Sequence, residues 1–443
     1  MLGLLIVVIV NILLALFINA SRSNIFSPES GYITVFLIQS IFCIFYQQTW
    51  EIELNTITIL IFVLGNTSFV LTSIVCNRVL SKTIDNSNVD YAEIEENNRK
   101  WLHISNGKLV FFLILQLITV VGFYRFFMTN VGGSSLGQAI YAFRYNNHMT
   151  NNEKIVLPHY LGILRGLCMG AGYIFAYSLA YSICTKIHIK LLVLINFAVS
   201  ILINMITGGR GDGIRLIVAF FVLLFMMLFN KRGYTVSHRQ LLLFIAFVTI
   251  GIFAFQQLGN ALGREKNQLS TTYYIALYLA AELKNLDTII WRGRPTYEIG
   301  SHTFGLFLKS IGLYDYALPD TAGFNYYHGL PLGNVYTCYY NYWIDWGMLG
   351  VIILTVVMAV IIQLIFFKAK DEIEKGKITL WPILYAYIFY SCFFSFFANK
   401  FYGEIVNLFF VKMVLSIWIA KMFFINTSIN RIDGRIKLLI RYR

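Results

Sequence analysis

The sequence has very little charge for a chain of its length. Only 13% of its 443 residues are charged, whereas 58% are hydrophobic. Length alone would suggest about three soluble domains, but a chain with so few polar groups cannot cover several soluble cores. The composition therefore predicts an all-α, polytopic integral membrane protein with one membrane domain that covers residues 1–443.

Cysteine is also scarce, and its spacing excludes both a disulfide framework and a metal centre. The six cysteines lie in or beside apolar runs and show no paired spacing. No Asp-x-Asp pair and no cluster of histidine and cysteine occurs in the segments that are assigned below to the outer side of the membrane. We therefore expect no bound metal and no cofactor, and we interpret the cysteines as packing residues.

Other absences narrow the class of protein further. The first apolar run begins at Met1 without a basic n-region and without a small-residue cleavage site before Arg22, which predicts a retained helix. The chain shows no internal repeat and no appended soluble domain. Its net charge of +13 does not indicate a nucleic-acid partner, because the basic residues cluster in short loops, as orientation signals do.

Apolar runs of membrane-spanning length recur along the chain. A spanning helix needs about 20 apolar residues. Eleven runs are predicted to span, at 2–19, 31–47, 56–76, 107–128, 161–184, 190–206, 213–230, 239–259, 347–367, 379–397 and 404–425. Residues 260–336 form the one long segment that is neither an apolar run nor a tail, and connections of this length usually carry function.

The charge of the loops predicts how the chain crosses the membrane. The loops on one side are rich in lysine and arginine, whereas the short loops on the other side hold only Arg144, Lys154, Arg210 and Lys400. By the positive-inside rule, the first side is cytoplasmic. We therefore predict an outside N-terminus, a cytoplasmic C-terminus and an outward-facing loop at 260–336 in a bacterial plasma membrane. Chemistry at that outer face must use a substrate already activated on a lipid, because ATP and nucleotide sugars are absent there.

The first candidate site is the glycine-rich turn at residues 207–213, Thr-Gly-Gly-Arg-Gly-Asp-Gly. Glycines allow backbone N–H groups to approach a ligand, and the next helix begins at this turn with its positive dipole end outward. Together with Arg210, these donors predict a site for a diphosphate group. The alternative is a tight turn whose arginine reaches the phosphates of membrane lipids.

More arginines are candidates for the same role. Arg292 and Arg294 alternate in the outward loop, where both can present planar guanidinium groups to phosphate oxygens, although loop arginines are often only solvated. Arg264 lies in the same loop. Arg165 lies near the outer end of a predicted span, and charges within spans are candidates for function.

The end of the long loop places a carboxylate among aromatic residues. Residues 334–337 read Asn-Val-Tyr-Thr, and Asp345 lies among Tyr339, Tyr340, Tyr342, Trp343 and Trp346. Because 347–367 already spans the membrane, residues 334–346 need not cross, and Asp345 is expected at the outer interface. This pattern is typical of a sugar-binding surface. The alternative is an aromatic belt with an aspartate that starts a helix.

Over most of its length the chain resembles the Wzy-type polymerases of O-antigen and capsule repeat units. The resemblance rests on many spans, a Gly-Arg-Gly turn, and one large outward loop that closes in Asn334-Val335-Tyr336-Thr337 and Asp345-Trp346-Gly347-Met348-Leu349-Gly350. Arg294 and Gly305 are similar to the Arg-x10-Gly pattern of such loops. The related O-antigen ligases close their loop with His-Asn, whereas Gly333 precedes Asn334 here and the nearest histidine is His328.

The resemblance implies a GT-C-like membrane glycosyltransferase that transfers a growing glycan from undecaprenyl diphosphate to a new lipid-linked repeat unit. Its partners would be undecaprenyl-diphosphate-linked glycans, membrane lipid and a chain-length regulator protein. The diphosphate ligands that it implies are Arg210, Arg292 and Arg294, followed by Arg165 and Arg264. The candidate bases are His302, His328 and Asp345, and the expected glycan contacts are Asn334, Tyr336, Tyr340 and Trp343.

Two other functions remain open at this point. An O-antigen ligase would use the same lipid-linked donor, and a flippase or transporter of lipid-linked glycans would also need an outward basic cavity. A transporter predicts charge along a central path and two similar halves, whereas this chain has one dominant loop on one face. The sequence therefore favours the polymerase.

Overall fold

The computed structural model describes residues 1–21, 26–81, 104–148, 155–232, 270–293, 299–313, 325–375, 378–432 and 435–440. Most of these residues are helical, and eight of the described helices are long and apolar enough to cross a membrane. The protein is therefore an all-α polytopic membrane protein, which confirms the fold class predicted from composition.

The elements are numbered in chain order over the described residues. The helices are α1 (Leu2–Ala20), α2 (Pro28–Phe45), α3 (Thr56–Ser81), α4 (Asn106–Phe126), α5 (Leu136–His148), α6 (His159–Thr185), α7 (Leu191–Met205), α8 (Gly211–Arg232), α9 (Thr271–Leu279), α10 (Ala281–Arg292), α11 (Ser301–Ser310), α12 (Cys338–Glu374), α13 (Trp381–Phe393), α14 (Lys400–Glu404) and α15 (Leu408–Lys421). Short π-helical turns follow α4 and α15, at Phe127–Val131 and Met422–Asn426. Two antiparallel hairpins pair β1 (Asn325–Tyr327) with β2 (Leu330–Gly333), and β3 (Thr427–Ile432) with β4 (Arg435–Ile440).

Ten of the eleven predicted spans coincide with described helices, and the run 239–259 lies outside the described residues. Helix α15 has 14 residues and reaches spanning length together with the π-helical turn that follows it, as Leu408–Asn426. Two others are too short to cross a bilayer as straight helices. Helix α7 has 15 residues and α13 has 13, which gives them lengths of about 22 Å and 20 Å against a hydrocarbon core of about 30 Å. Both short helices lead into turns of irregular backbone.

The described helices form two compact units that interleave along the chain. The first unit contains Met1–Ser87, Leu269–Lys370 and Tyr387–Phe410. The second unit contains Asn88–Gln268, Asp371–Ala386 and Val411–Arg443. Each unit has its own buried core.

A chain of hydrogen bonds between polar side chains runs through the core of the first unit. Tyr32 and Tyr339 share a 2.7 Å hydrogen bond, Tyr339 donates to Asn66 at 2.6 Å, and Asn66 donates to Asn11 at 2.8 Å. All four side chains are buried. Because an unpaired polar group in apolar surroundings is costly, this network specifies how α1, α2, α3 and α12 pack together.

Small residues let the helices of the second unit pack closely. A Cβ at Gly170 of α6 would lie 2.6 Å from the backbone of Ser416 in α15, and one at Gly172 would lie 2.9 Å from Ser200 in α7. Gln116 of α4 donates a 2.9 Å hydrogen bond to Ser200. Close approach at small residues and hydrogen bonds between helices are both typical of packing within membranes.

The segment 260–336, predicted as a long loop, is folded over its described residues. It forms α9, α10, α11 and the β1–β2 hairpin. Helix α10 buries Leu283, Leu286 and Ile290 along one face. This apolar face explains why the helix packs against the rest of the unit although the segment is rich in charge. The hairpin turns at His328 and Gly329, which both have positive φ, as a two-residue type I′ turn requires.

Candidate functional site

The glycine-rich turn at 207–213 lies between α7 and α8, in the second unit. Arg144 of α5 donates a 2.7 Å hydrogen bond to the carbonyl of Gly208, whose φ of +82° is in the left-handed region. A Cβ at Gly213 would overlap the side chain of Met205. These two glycines therefore allow the turn to fold tightly against α5 and the end of α7.

One carboxylate in this turn contacts two arginines. Asp212 Oδ2 lies 2.9 Å from Nη2 of Arg165 in α6, and Asp212 Oδ1 lies 3.5 Å from Nη1 of Arg215 in α8. Arg165 Nη2 also donates to the carbonyl of Asn204 at 3.1 Å. Arg210 is buried in the same turn, and Arg215 is buried in the first part of α8. The arginine cluster, as we call it below, consists of Arg144, Arg165, Arg210 and Arg215.

One member of the arginine cluster, Arg165, lies inside α6 and not at its N-terminal end. Arg165 is the seventh residue of this helix, about 9 Å from His159 at a rise of 1.5 Å per residue. Helix α7, which leads into the turn, is about 8 Å shorter than the hydrocarbon core of a bilayer. Arg165 thus lies almost two turns inside α6, and Arg210 and Arg215 are buried in or beside the turn.

This arrangement suits an anion with more than one negative charge. Guanidinium groups stay charged at physiological pH, and their planar forks match the oxygens of phosphate. The cluster carries four positive charges, and Asp212 adds one negative charge next to it. Helix α8 begins at Gly211, so its N-terminal dipole also favours an anion in the turn. A diphosphate group meets all of these conditions.

The structure brings together two of the arginines that the sequence predicts, Arg165 and Arg210. It adds Arg144 and Arg215, which were not predicted as site residues. In the sequence, Arg144 is one of the charges of a short loop, and Arg215 lies within the apolar run 213–230. Arg215 could have been found from its spacing, because it follows Asp212 by three residues on one helical face. Arg144 could not, because only the fold brings α5 to the turn.

In the first unit, the segment that follows the hairpin enters the core. Tyr339 packs against Gly65 and Asn66, about 14 Å along α3 from its start at Thr56. The sequence predicts that residues 334–346 need not cross the membrane, but Tyr339 lies among the helices of this unit, against the middle of α3. The burial of Tyr339 was not predicted, because the segment is polar and aromatic and its hydrogen-bond partners lie far away in the chain.

A sharp reversal divides α12 into two parts. Gly347 has φ +64° and ψ −151°, which interrupts the helix after Trp346. A Cβ at Gly350 would lie 2.5 Å from the carbonyl oxygen of Tyr342, eight residues earlier, so the chain folds back here. Residues 338–346 form a half-helix that packs against the start of the long span. Glycine is needed at 347 for its backbone angles and at 350 for lack of space.

Asp345 lies at the end of this half-helix and is only 2% exposed. Its carboxylate accepts hydrogen bonds from the backbone N–H groups of Thr303 at 2.7 Å and His302 at 3.3 Å. These are the first-turn donors of α11, and the residue at the N-cap position, Gly300, has no side chain to accept them. Asp345 therefore caps α11.

His302 is half-buried beside this cap. Its ring meets the ring of Tyr340 edge-on at 5.7 Å, and its carbonyl accepts a 2.8 Å hydrogen bond from Asn341. Burial lowers the pKa of His302, and the nearby charge of Asp345 opposes that shift. A histidine with a lowered pKa is neutral at pH 7 and can accept a proton.

The aromatic residues predicted to contact glycan are packed inside the first unit. Tyr336 stacks on Tyr340 at 4.5 Å, and both are buried, as is Trp343. Asn325 donates to the Tyr336 hydroxyl at 3.0 Å, while burial raises the pKa of that hydroxyl to about 12. Asn334 is half-buried. The aromatic residues thus build the wall behind His302 in the described structure.

Two other predicted site residues are exposed in the same unit. Arg292, in the last turn of α10, is close enough to Tyr336 for its charge to act on that hydroxyl, and His328 lies at the tip of the hairpin. Arg264 and Arg294 lie outside the described residues. Within the described ranges, no group of three or more histidine, cysteine or acidic residues is placed to hold a metal ion.

Three polar residues of α10 that the sequence did not single out anchor this helix. Glu282 is fully buried and accepts a 3.4 Å hydrogen bond from Gln39 of α2. Asn285 donates to the carbonyls of Leu332 and Val335 at 2.9 Å each. Asp287 accepts from the backbone N–H of residue 55, just before the start of α3, at 2.8 Å. Helix α10 is therefore fixed to α2 and to the start of α3.

Comparisons of the chain with protein-family models, with curated proteins and with solved structures find no match.

Proposed function

We propose that the protein is a membrane glycosyltransferase that polymerises undecaprenyl-diphosphate-linked oligosaccharide repeat units at the outer face of a bacterial plasma membrane. The observation that carries the proposal is the largely buried arginine cluster around Asp212, at the N-terminus of α8. A lipid-linked diphosphate has its charged group at the membrane boundary and its chain in the bilayer. A cationic turn between spanning helices fits such a ligand.

The reaction explains why fixed cations are needed. The acceptor hydroxyl attacks the anomeric carbon of the growing glycan, the bond between that carbon and the diphosphate oxygen breaks, and lipid diphosphate leaves. Negative charge builds on the leaving diphosphate, and preorganised guanidinium groups stabilise it. In this proposal Arg165 and Arg210 bind the diphosphate with Arg144 and Arg215.

The arginines of the outward segment are also proposed to bind the diphosphate, and this role is supported by the sequence. Arg292 is exposed and available to a ligand. Arg264 and Arg294 keep the diphosphate-binding role that the family resemblance implies.

Of the three candidate bases, the geometry favours His302. The carboxylate of Asp345 is engaged with two backbone N–H groups, and His328 lies at an exposed hairpin tip. His302 is half-buried, and its lowered pKa keeps it neutral and able to accept a proton. Tyr340 and Asp345 then position His302.

Deletion of the gene separates the competing functions by their products. A strain without a polymerase should cap its acceptor with a single repeat unit. A strain without a ligase should accumulate long polymer on undecaprenyl diphosphate, and one without a flippase should retain single repeats on the cytoplasmic side. Long polymer on the carrier lipid of the deletion strain would replace the polymerase with a ligase.

Complementation of that strain then tests the arginine cluster. Arg165→Lys and Arg210→Lys keep the charge but lose the planar guanidinium group that can make two parallel hydrogen bonds. Each lost charged hydrogen bond should weaken diphosphate binding by about 1–3 kcal/mol, so each variant should make markedly shorter glycan. The matched control is Arg125→Lys, an exposed arginine in the last turn of α4. Full chain length in both cluster variants, at wild-type expression, would remove the support that the cluster gives.

A further inference from the structure

The carboxylate of Asp212 lies between two cations that come from different helices. Arg165 approaches one oxygen from α6 at 2.9 Å, and Arg215 approaches the other from α8 at 3.5 Å. Two guanidinium groups that are this close repel each other unless an anion lies between them. A shared carboxylate removes that repulsion and fixes the position of each group.

We propose that Asp212 is a positioning residue that holds Arg165 and Arg215 in place for a lipid-linked diphosphate, an inference that rests on the proposed function. Asp212 itself does not bind the ligand, because a carboxylate repels phosphate. Its contribution is the placement of two guanidinium groups before the ligand arrives, which lowers the ordering that binding would otherwise require.

Arg165 shows that donors are left over for a ligand. A guanidinium group has five N–H donors. Nη2 of Arg165 binds Asp212 and the carbonyl of Asn204. Its Nε is buried and makes no hydrogen bond to any residue in the described ranges. A buried donor without a partner is unfavourable, and a phosphate oxygen would satisfy it.

Arg144 provides an internal comparison, because a different group holds it. Its Nη1 donates to the carbonyl of Gly208 at 2.7 Å. Loss of the Asp212 carboxylate should therefore disorder Arg165 and Arg215 but leave this contact of Arg144 in place. The proposal thus predicts energetic coupling between Asp212 and Arg165, and none between Asp212 and Arg144.

A role as a simple electrostatic brake predicts the opposite sign. If Asp212 only reduced the positive potential of the turn, its removal would tighten the binding of any anion. If it positions the arginines, its removal weakens binding even though the net positive charge increases.

The test is a double-mutant cycle on purified full-length protein, with farnesyl diphosphate as the probe, farnesol as the uncharged control, and affinity read from ligand-dependent thermal stabilisation. Asp212→Asn should weaken farnesyl diphosphate binding about ten-fold. Arg165→Lys should weaken it about ten-fold in the wild-type background but less than about two-fold beside Asp212→Asn. Arg144→Lys should have the same effect in both backgrounds. Asp371→Asn, which removes an ion pair with Lys375 elsewhere in this unit, should change nothing.

Each outcome decides between specific alternatives. If Asp212→Asn binds the probe as tightly as wild type or more tightly, and Arg165→Lys keeps its full effect beside it, Asp212 is not a positioning residue. If the wild-type protein does not respond to farnesyl diphosphate at all, the cluster is not a diphosphate site and the proposed function loses its support. If Asp212→Asn does not fold, the cycle is run with Asp212→Glu, which keeps the charge but moves both oxygens. The effect of Arg165→Lys should then be smaller beside Asp212→Glu than in the wild type, and an undiminished effect there overturns the proposal.

Discussion

Thr303 donates its backbone N–H to the carboxylate of Asp345 at 2.7 Å, and this hydrogen bond ties the start of α11 to the half-helix 338–346. The two residues are 42 positions apart in the chain, and the cap that Gly300 cannot provide comes from the other side of a hairpin. The same contact holds His302, the next residue back, against Tyr340.

Asp345→Asn should act mainly through this cap. Asparagine keeps the size of the side chain but loses its charge and one acceptor, so we expect a loss of about 1 kcal/mol in stability, as for other N-caps. Polymerisation should fall less than about tenfold, because His302 is still present. Thermal unfolding and glycan length measure the two effects. A loss of several hundredfold in rate with unchanged unfolding would instead make Asp345 the base.

His302→Gln should give the reverse pattern. The substitution keeps a polar side chain of similar size but removes the proton acceptor, so the rate should fall by roughly 10²- to 10⁴-fold while stability changes little. Because burial lowers the pKa of His302, the wild-type rate should decline only as pH falls below the ordinary value of a histidine, about 6.5. His328→Gln, at the exposed hairpin tip, is the control and should leave the rate unchanged.

Glu282 makes stability depend on pH. Burial raises its pKa well above the usual value, so the folded protein binds a proton that the unfolded chain has lost. The stability is therefore complete below the unfolded pKa of about 4.3 and is lost as pH rises toward the folded pKa, by at most about 1.4 kcal/mol per pH unit.

Thermal unfolding between pH 5 and pH 8 tests this effect. The melting temperature of the wild type should fall across this range, and Glu282→Gln should flatten most of that slope. A residual slope is expected from Asp287, whose pKa burial also raises. The exposed Glu53 supplies the control Glu53→Gln, which should retain the full slope. An identical slope in wild type and Glu282→Gln would mean that Glu282 is ionised in the folded protein.

The spans were predictable because hydrophobic length is a local property of the sequence, and the runs that became α1, α3 and α6 illustrate this. The half-helix 338–346 could not be predicted, because Tyr339 is buried by residues such as Asn66 that lie far away in the chain. The arginine cluster was predictable in part. Arg210 could be predicted because it lies between glycines in a short turn. Arg215 was not assigned to the site before its contact with Asp212 was known, because it is a single charge in an apolar helix.

The orientation in the membrane is open to a direct test. The positive-inside rule places Ser270 outside and Lys375 in the cytoplasm. In intact cells, an impermeant thiol reagent should label Ser270→Cys but label Lys375→Cys only after the membrane is opened. The native cysteines Cys76 and Cys184 are partly exposed in the structure, so the unmodified protein is the background control. Labelling of Lys375→Cys in intact cells would reverse the assigned topology.

Gly350→Ala tests whether the reversal at Gly347 supports the site. A Cβ at position 350 would lie 2.5 Å from the carbonyl oxygen of Tyr342 and 2.6 Å from Cβ of Trp346, so the half-helix must move away from the span. Overpacking of this kind typically costs about 1–3 kcal/mol. The shift would also carry Asp345 away from α11, so polymerisation should fall together with the melting temperature.

Gly162→Ala is the matched control for this substitution. A Cβ there would meet no atom within 4 Å, and the residue lies inside α6. Alanine is favoured over glycine in helices by up to about 1 kcal/mol, so this variant should be equal to or more stable than the wild type and fully active. If Gly350→Ala matched Gly162→Ala in both melting temperature and glycan length, the close contact between residues 342 and 350 would not exist in the protein.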